Sequence, residues 1–144
     1  HPRIQKLTWG MLKTFLQLNP SLILKQMIPS FSKLETADVL NALSEDDKAA
    51  FEKMLLPMSS GHGFMLDIEH EVSAKILQDI TVPTLIVHSK NDNSVSFDHP
   101  LHAKEHIEGS ELFEAQTWGH LIWLGKGSSD VKDKVANFLR ESHN

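Results

Sequence analysis

The feature that most constrains this chain is the run Pro83-Thr84-Leu85-Ile86-Val87. It is short, continuous, apolar and rich in β-branched residues. A strand with one wet face alternates apolar and polar residues. A continuous run reads instead as a strand buried on both faces, the signature of a parallel sheet. The residues after it fit that reading: a polar loop from Ser89 to Asp98, a short helix from Pro100 to Ile107, a turn at Glu108-Gly109-Ser110 and a second strand from Glu111 to Ala115. A loop rich in Gly and Trp, Gln116 to Gly127, leads to a last helix. Ser129 is its expected cap, and Val131, Val135, Phe138 and Leu139 share one face.

The residues before the run keep helical spacing. Ile4, Leu7, Met11, Phe15 and Leu18 recur at three- and four-residue steps, and Asn19-Pro20 ends that pattern. An apolar piece from Leu22 to Ile28 is expected to stop at Pro29. Thr36 is the expected cap of a helix over Ala37 to Leu43. Ser44 followed by Glu45, Asp46 and Asp47 is a stronger start, with a capping hydroxyl and acids at the positive end of the helix dipole. That helix is expected to turn Phe51, Met54 and Leu55 inward and to stop at Pro57. Ser59-Ser60-Gly61-His62-Gly63 is the clearest break. Beyond it Met65, Ile68, Val72, Ile76 and Leu77 again keep helical spacing. The expected division is therefore a helical region, 1–62, and a strand-and-helix region, 63–144. Two parallel strands are too few for a self-sufficient core, so the chain is expected to be part of a larger sheet or to pair with a copy of itself.

With 144 residues, 40% hydrophobic and 23% charged, the composition is that of a globular domain. A net charge of -5 without a block of one sign argues against a nucleic-acid partner. The absence of cysteine excludes disulfides, thiolate catalysis and Cys-based zinc sites, and fits a reducing, cytoplasmic setting. No stretch approaches the roughly 20 apolar residues of a membrane span, and no signal peptide is recognised. The opening His1-Pro2, in place of Met, adds to the expectation of an upstream segment.

The chemistry concentrates at the ends of the two strands. Ile80 to Asp92 delivers an acid into the loop after the first strand, the edge where parallel sheets gather catalytic groups. Past the second strand comes Trp118-Gly119-His120-Leu121-Ile122-Trp123. A carboxylate held on one imidazole nitrogen fixes the tautomer and leaves the other free to take a proton from a nucleophile. The alternative for Asp92 is a turn acid that caps the following helix; for His120 it is a loop histidine packed between Trp118 and Trp123.

The segment from about Leu77 onward resembles the last portion of α/β-hydrolases. The resemblance rests on the Ile-x-Val-Pro-Thr-Leu strand, on Asp92 with Val95 three residues later, on Gly119-His120, and on the closing helix through Phe138-Leu139. It implies an α/β fold: a helical cap region followed by the last two parallel strands and flanking helices of a hydrolase sheet. It implies that Asp92 and His120 are the catalytic acid and base of a hydrolase of ester, amide or related bonds, acting on a small-molecule substrate. No metal or organic cofactor is implied. The family's nucleophile turn, G-x-S-x-G, has no counterpart here. The chain alone is expected to be inactive, and the alternative is a non-catalytic remnant that binds or self-associates through the flank of Thr84–Val87.

Other residues invite sharper readings. His102-Ala103-Lys104-Glu105-His106 matches the H-x-x-E-H of one zinc protease class, but such a site needs a third ligand far along the chain, and the expected role is a polar helix face. His62 is expected to be a solvated loop residue, Asp98 a helix cap, and Met11, Met27, Met54, Met58 and Met65 core rather than pocket lining.

Overall fold

The computed structural model describes residues 11, 14, 18–55 and 75–142. Among the described residues, after the helical positions 11, 14 and 18, the bounded helices begin with α1 (Pro20–Phe31), α2 (Thr36–Ala42) and α3 (Glu45–Leu55). After a short α4 (Lys75–Gln78) come β1 (Leu85–His88), α5 (Asp98–His106), β2 (Glu111–Glu114) and α6 (Ser128–Glu141). The boundary at 62 and 63, His62, Met58, Met65 and most of the helix expected before Asn19 lie outside the described residues.

Asn19 caps α1 by accepting the Leu22 amide at 3.0 Å, and Pro20 occupies the first turn, where its missing N–H costs nothing. The expected stop at Pro29 is corrected: the helix runs through it to Phe31. The reason is tertiary. The last four carbonyls of a helix lack partners within it, and here each finds one. Ile28 O accepts from Ser32 N at 2.8 Å, Pro29 O from Asn93 Nδ2 at 2.7 Å, Ser30 O from Ser94 Oγ at 2.8 Å, and Phe31 O from His120 N at 2.8 Å. Three of the four donors come from the two loops after the strands. They offset the rung that proline removes.

Thr36 is not a cap either. Glu35 holds that position without a side-chain bond, and Thr36 begins the helix. Ser44 behaves as expected. Its hydroxyl accepts from Asp47 N at 3.1 Å, while Asp47 Oδ2 accepts from Ser44 N at 3.0 Å, a reciprocal cap. Asp47 Oδ1 also takes the Gly125 amide at 2.9 Å, tying the start of α3 to the loop before α6. Burial pushes the Asp47 carboxyl up, but the Ser44 hydroxyl, the Gly125 and Ser44 amides and the nearby Lys132 outweigh it and hold it below its ordinary value.

The core is built from Leu24 and Ile28 of α1, Val39 and Leu43 of the α2 region, Phe51 and Leu55 of α3, and Trp118 from the loop after β2. Met27 packs against it, whereas Met54 and Met11 are exposed, so two of the described methionines leave the expected core.

β1 and β2 pair in parallel, with Leu85 opposite Glu111 and His88 opposite Glu114. The expected adjacency is present, but full burial is not: all four β1 residues are half-buried. Among the described residues β1 has a single strand neighbour, so one edge carries no ladder. Asp98 opens α5 instead of capping it, its carboxylate accepting from Ser96 Oγ at 2.8 Å. Ser129 is likewise inside α6. The cap is Gly127, at φ +86°, where a Cβ would stand 2.3 Å from Gln116 O. Val131 is buried beneath α6, and Leu139 points to solvent rather than joining the expected inner face.

Candidate active site

The loops that leave β1 and β2 meet against the end of α1. In the first, the chain turns immediately after His88, and Asp92 N donates to Ser89 O at 3.1 Å. Ser89 Oγ and Asn91 Nδ2 both donate to Thr117 O, at 3.0 and 2.8 Å, which joins the first loop to the second. Ser32, just past α1, forms an isolated antiparallel bridge with Asp92, and Lys33 N donates to Asn91 O at 2.8 Å. The Ser32 hydroxyl donates to Trp118 O. Three stretches far apart in sequence are thereby fastened at one corner.

Asp92 sits at the centre of it, 2% exposed. Its Oδ1 accepts from Ser94 N at 2.7 Å and Val95 N at 3.0 Å. Its Oδ2 faces His120 Nδ1 at 2.8 Å. Burial alone would raise its pKa. The Val95 amide, the His120 ring, the Ser94 amide and the His120 charge together do more, and the carboxyl is held below its ordinary value. Asp92 is therefore an anion at neutral pH, and Nδ1 of His120 must carry the proton. Nε2 then has a free lone pair, with no hydrogen bond to another described residue. The His120 side chain is 38% exposed, so this edge can reach a reactant.

The histidine is held from its backbone as well. Its amide donates to Phe31 O, and its ring stacks on Phe31 with centroids 5.7 Å apart and an interplanar angle of 17°. The approach requires glycine beforehand: a Cβ on Gly119 would lie 2.2 Å from Phe31 O. Trp118 is buried in the core and donates Nε1–H to Leu124 O at 3.0 Å, while Trp123 is largely exposed. The ring stacked on His120 belongs to α1, not to either flanking tryptophan.

The corner therefore unites Asp92 and His120, as their places after adjacent strands predict. It also contains residues that the sequence pattern does not announce. Phe31 and Ser32 carry no local signal. His88 could have been noticed, four residues before the acid at the end of its strand. Its Nε2 donates to Val95 O at 3.2 Å and lies 3.5 Å from Asp92 Oδ2, bracing the turn that holds the carboxylate. An open cavity of about 390 Å³ lies elsewhere, between α1, α2 and α3; Leu22, Lys25, Leu40 and Lys48 line it, and no residue of the Asp92–His120 corner does.

What the pair can do chemically is limited by what accompanies it. An anionic carboxylate on Nδ1 makes the imidazole a competent base at Nε2. Among the described residues no serine or threonine hydroxyl is bonded to that nitrogen.

Comparison with known proteins bears on the fold and the family. Residues 64–144 match the model of the TAP-like protein family of α/β-hydrolases. The chain is 38% identical over 140 residues to an uncharacterized hydrolase, YcgS, of Bacillus subtilis, covering 96% of this chain and 49% of that protein. Its structure is similar to that of an alpha/beta hydrolase fold protein from Nakamurella multipartita, with a TM-score of 0.78 and 25% identity over 93% of this chain and 50% of the other. It is also similar to an esterase from Exiguobacterium antarcticum, with a TM-score of 0.56 and 25% identity over 94% and 47%. The chain spans about half the length of these relatives. No helix among the described residues is long and apolar enough to cross a membrane. The chain belongs to the α/β-hydrolases, in the TAP-like protein family, and has the architecture of a partial domain of that fold.

Proposed function

We propose that this chain supplies the acid and the base of a serine-type hydrolase, and that it acts only together with a nucleophile-bearing half. The observation that carries the reading is the 2.8 Å bond between Asp92 Oδ2 and His120 Nδ1, which leaves Nε2 as the acceptor. In the reaction Nε2 would take the proton of a serine hydroxyl as that oxygen attacks an ester or amide carbonyl. It would then return the proton to the leaving group. Asp92 would hold the ring and stabilise the imidazolium. In this reading residues 1–62 are a helical cap that shapes the pocket, and 63–144 the end of the catalytic domain, in a cytoplasmic enzyme. A nucleophile and oxyanion donors, which the family places on earlier strands, are required in addition.

The test is labelling by a fluorophosphonate, followed by mass spectrometry. The chain alone is expected to remain unlabelled. Joined to the complementary half of its Bacillus subtilis relative, it is expected to support labelling of the serine supplied by that half, at a rate that His120→Ala lowers by about a thousandfold or more. Stoichiometric labelling of the chain alone, abolished by His120→Ala, would place the nucleophile among its own serines and overturn the proposal.

A second reading rests on the sheet. β1 is half-buried and has one strand neighbour among the described residues, and such an edge is a template for pairing. As an isolated module the chain would associate with a second copy along the flank of Thr84–Val87. Sedimentation should show a dimer at micromolar concentration; a stable monomer counts against it.

A further inference from the structure

Helix α5 carries a cluster that this chemistry does not use. His102, Glu105 and His106 each offer one ligand atom, and the three atoms lie within 4.8 Å of one another. The spacing accounts for it, since residues three and four apart on a helix share a face. The two imidazole rings are 4.0 Å apart between centroids. His106 Nδ1 lies 2.8 Å from the His102 carbonyl oxygen. A carbonyl only accepts, so Nδ1 holds the proton and Nε2 presents a lone pair. This is how a ligating histidine is ordinarily prepared, with one nitrogen tied to a backbone carbonyl and the other free for the metal. Lys104, the cation within the same turn, is engaged with the carbonyl of Ser110.

We propose that His102, Glu105 and His106 bind one divalent transition-metal ion of the zinc class on the outer face of α5. Two imidazoles and one carboxylate suit zinc, copper or nickel, whereas magnesium and calcium prefer sites built of oxygen. Tetrahedral zinc with bonds of about 2.0–2.1 Å needs its ligand atoms roughly 3.4 Å apart. His102 and Glu105 are exposed and His106 is half-buried, so rotamer adjustments can bring the donors together. The resemblance to a zinc protease motif fails on its missing distant ligand. Here the third donor is Glu105 itself, from the same turn. A glutamate that coordinates the ion is not available as a general base, so the site binds metal without cleaving peptides. The ion would clamp the last turn of α5, a helix that packs against both strands.

Calorimetric titration of the chain with zinc chloride tests this, with His102→Ala, Glu105→Gln and His106→Ala as variants. His99→Gln, an exposed histidine on the same helix outside the cluster, serves as control, and magnesium chloride as the competing cation. The expected result is one zinc per chain, weakened about tenfold or more by each histidine variant, less by Glu105→Gln, and unchanged by His99→Gln. Zinc should also raise the melting temperature of the unsubstituted chain and not that of His102→Ala. Absence of zinc binding, equal heat from magnesium, or zinc binding that survives His102→Ala and His106→Ala would each overturn the proposal.

Discussion

The strands and the loops that leave them are held in opposite ways. Apolar β1 is only half-buried, while the polar residues just beyond the strands are nearly inaccessible, with Ser89 at 0% and Thr117 at 2%. Loops usually stay on the surface because a buried backbone group without a partner is costly. At this corner most partners are present, the buried Thr117 hydroxyl being an exception. Ser89, Asn91, Asp92, Asn93, Ser94 and the His120 amide all bond across to another segment or within the turn. The corner that joins Asp92 to His120 is thus held by bonds within the described chain. The sheet from which it springs has a single strand pairing there.

Gly119→Ala is the most severe way to break that difference. The added Cβ meets Phe31 O at 2.2 Å, and backbone lies on both sides of the collision. A loss of about 3 kcal/mol in chemical denaturation is expected, together with faster exchange of the His120 amide as its bond to Phe31 O lengthens. Stability unchanged by this substitution would mean that the loop does not press on α1.

Asp92→Ala comes next, at about 2 kcal/mol, because it strands the Ser94 and Val95 amides in a buried turn. Its pH dependence has a definite sign. A carboxyl with a folded-state pKa below its ordinary value of 3.8 contributes stability above that value and loses it as pH falls through the lower folded value. The gap between the unsubstituted chain and Asp92→Ala should therefore be widest near neutrality and shrink under acid denaturation. A gap that failed to shrink as pH fell below the ordinary carboxylate value would contradict the anionic assignment.

On the strand side the effects should be smaller. Ile86→Ala, in the middle of half-buried β1, is expected to cost about 1 kcal/mol, since part of the apolar surface it removes is already wet. Lys90→Met removes an exposed ion pair with Glu114 at 2.5 Å and should leave the denaturation midpoint unchanged. If Ile86→Ala proved costlier than Asp92→Ala, the sheet and not the corner would be the better-held region.

Much of this was legible along the chain because its causes are local. The order of strand, loop, helix and strand follows from a change of hydrophobic period and from turn residues. Ser44 announces α3, since its capping partner Asp47 is three residues away. Elsewhere local rules pointed the wrong way. Pro29 predicts a stop, yet α1 continues to Phe31, where the carbonyls of its last turn are taken by Asn93, Ser94 and His120. Ser129 resembles a cap, but Gly127 sits closer to Gln116 than any residue with a side chain could.

For the site, the sequence by itself determined the pair: an acid after one parallel strand and a histidine after the next are brought to the same sheet edge by connectivity alone. Only the tertiary structure decided how they are held. The Ser32–Trp118 bond joins residues 86 positions apart, and the Asn93 and Ser94 bonds that finish α1 span 64. No periodicity or spacing encodes such partners. They are selected when the chain folds because a buried polar group that found none would cost more than the ordering needed to reach one.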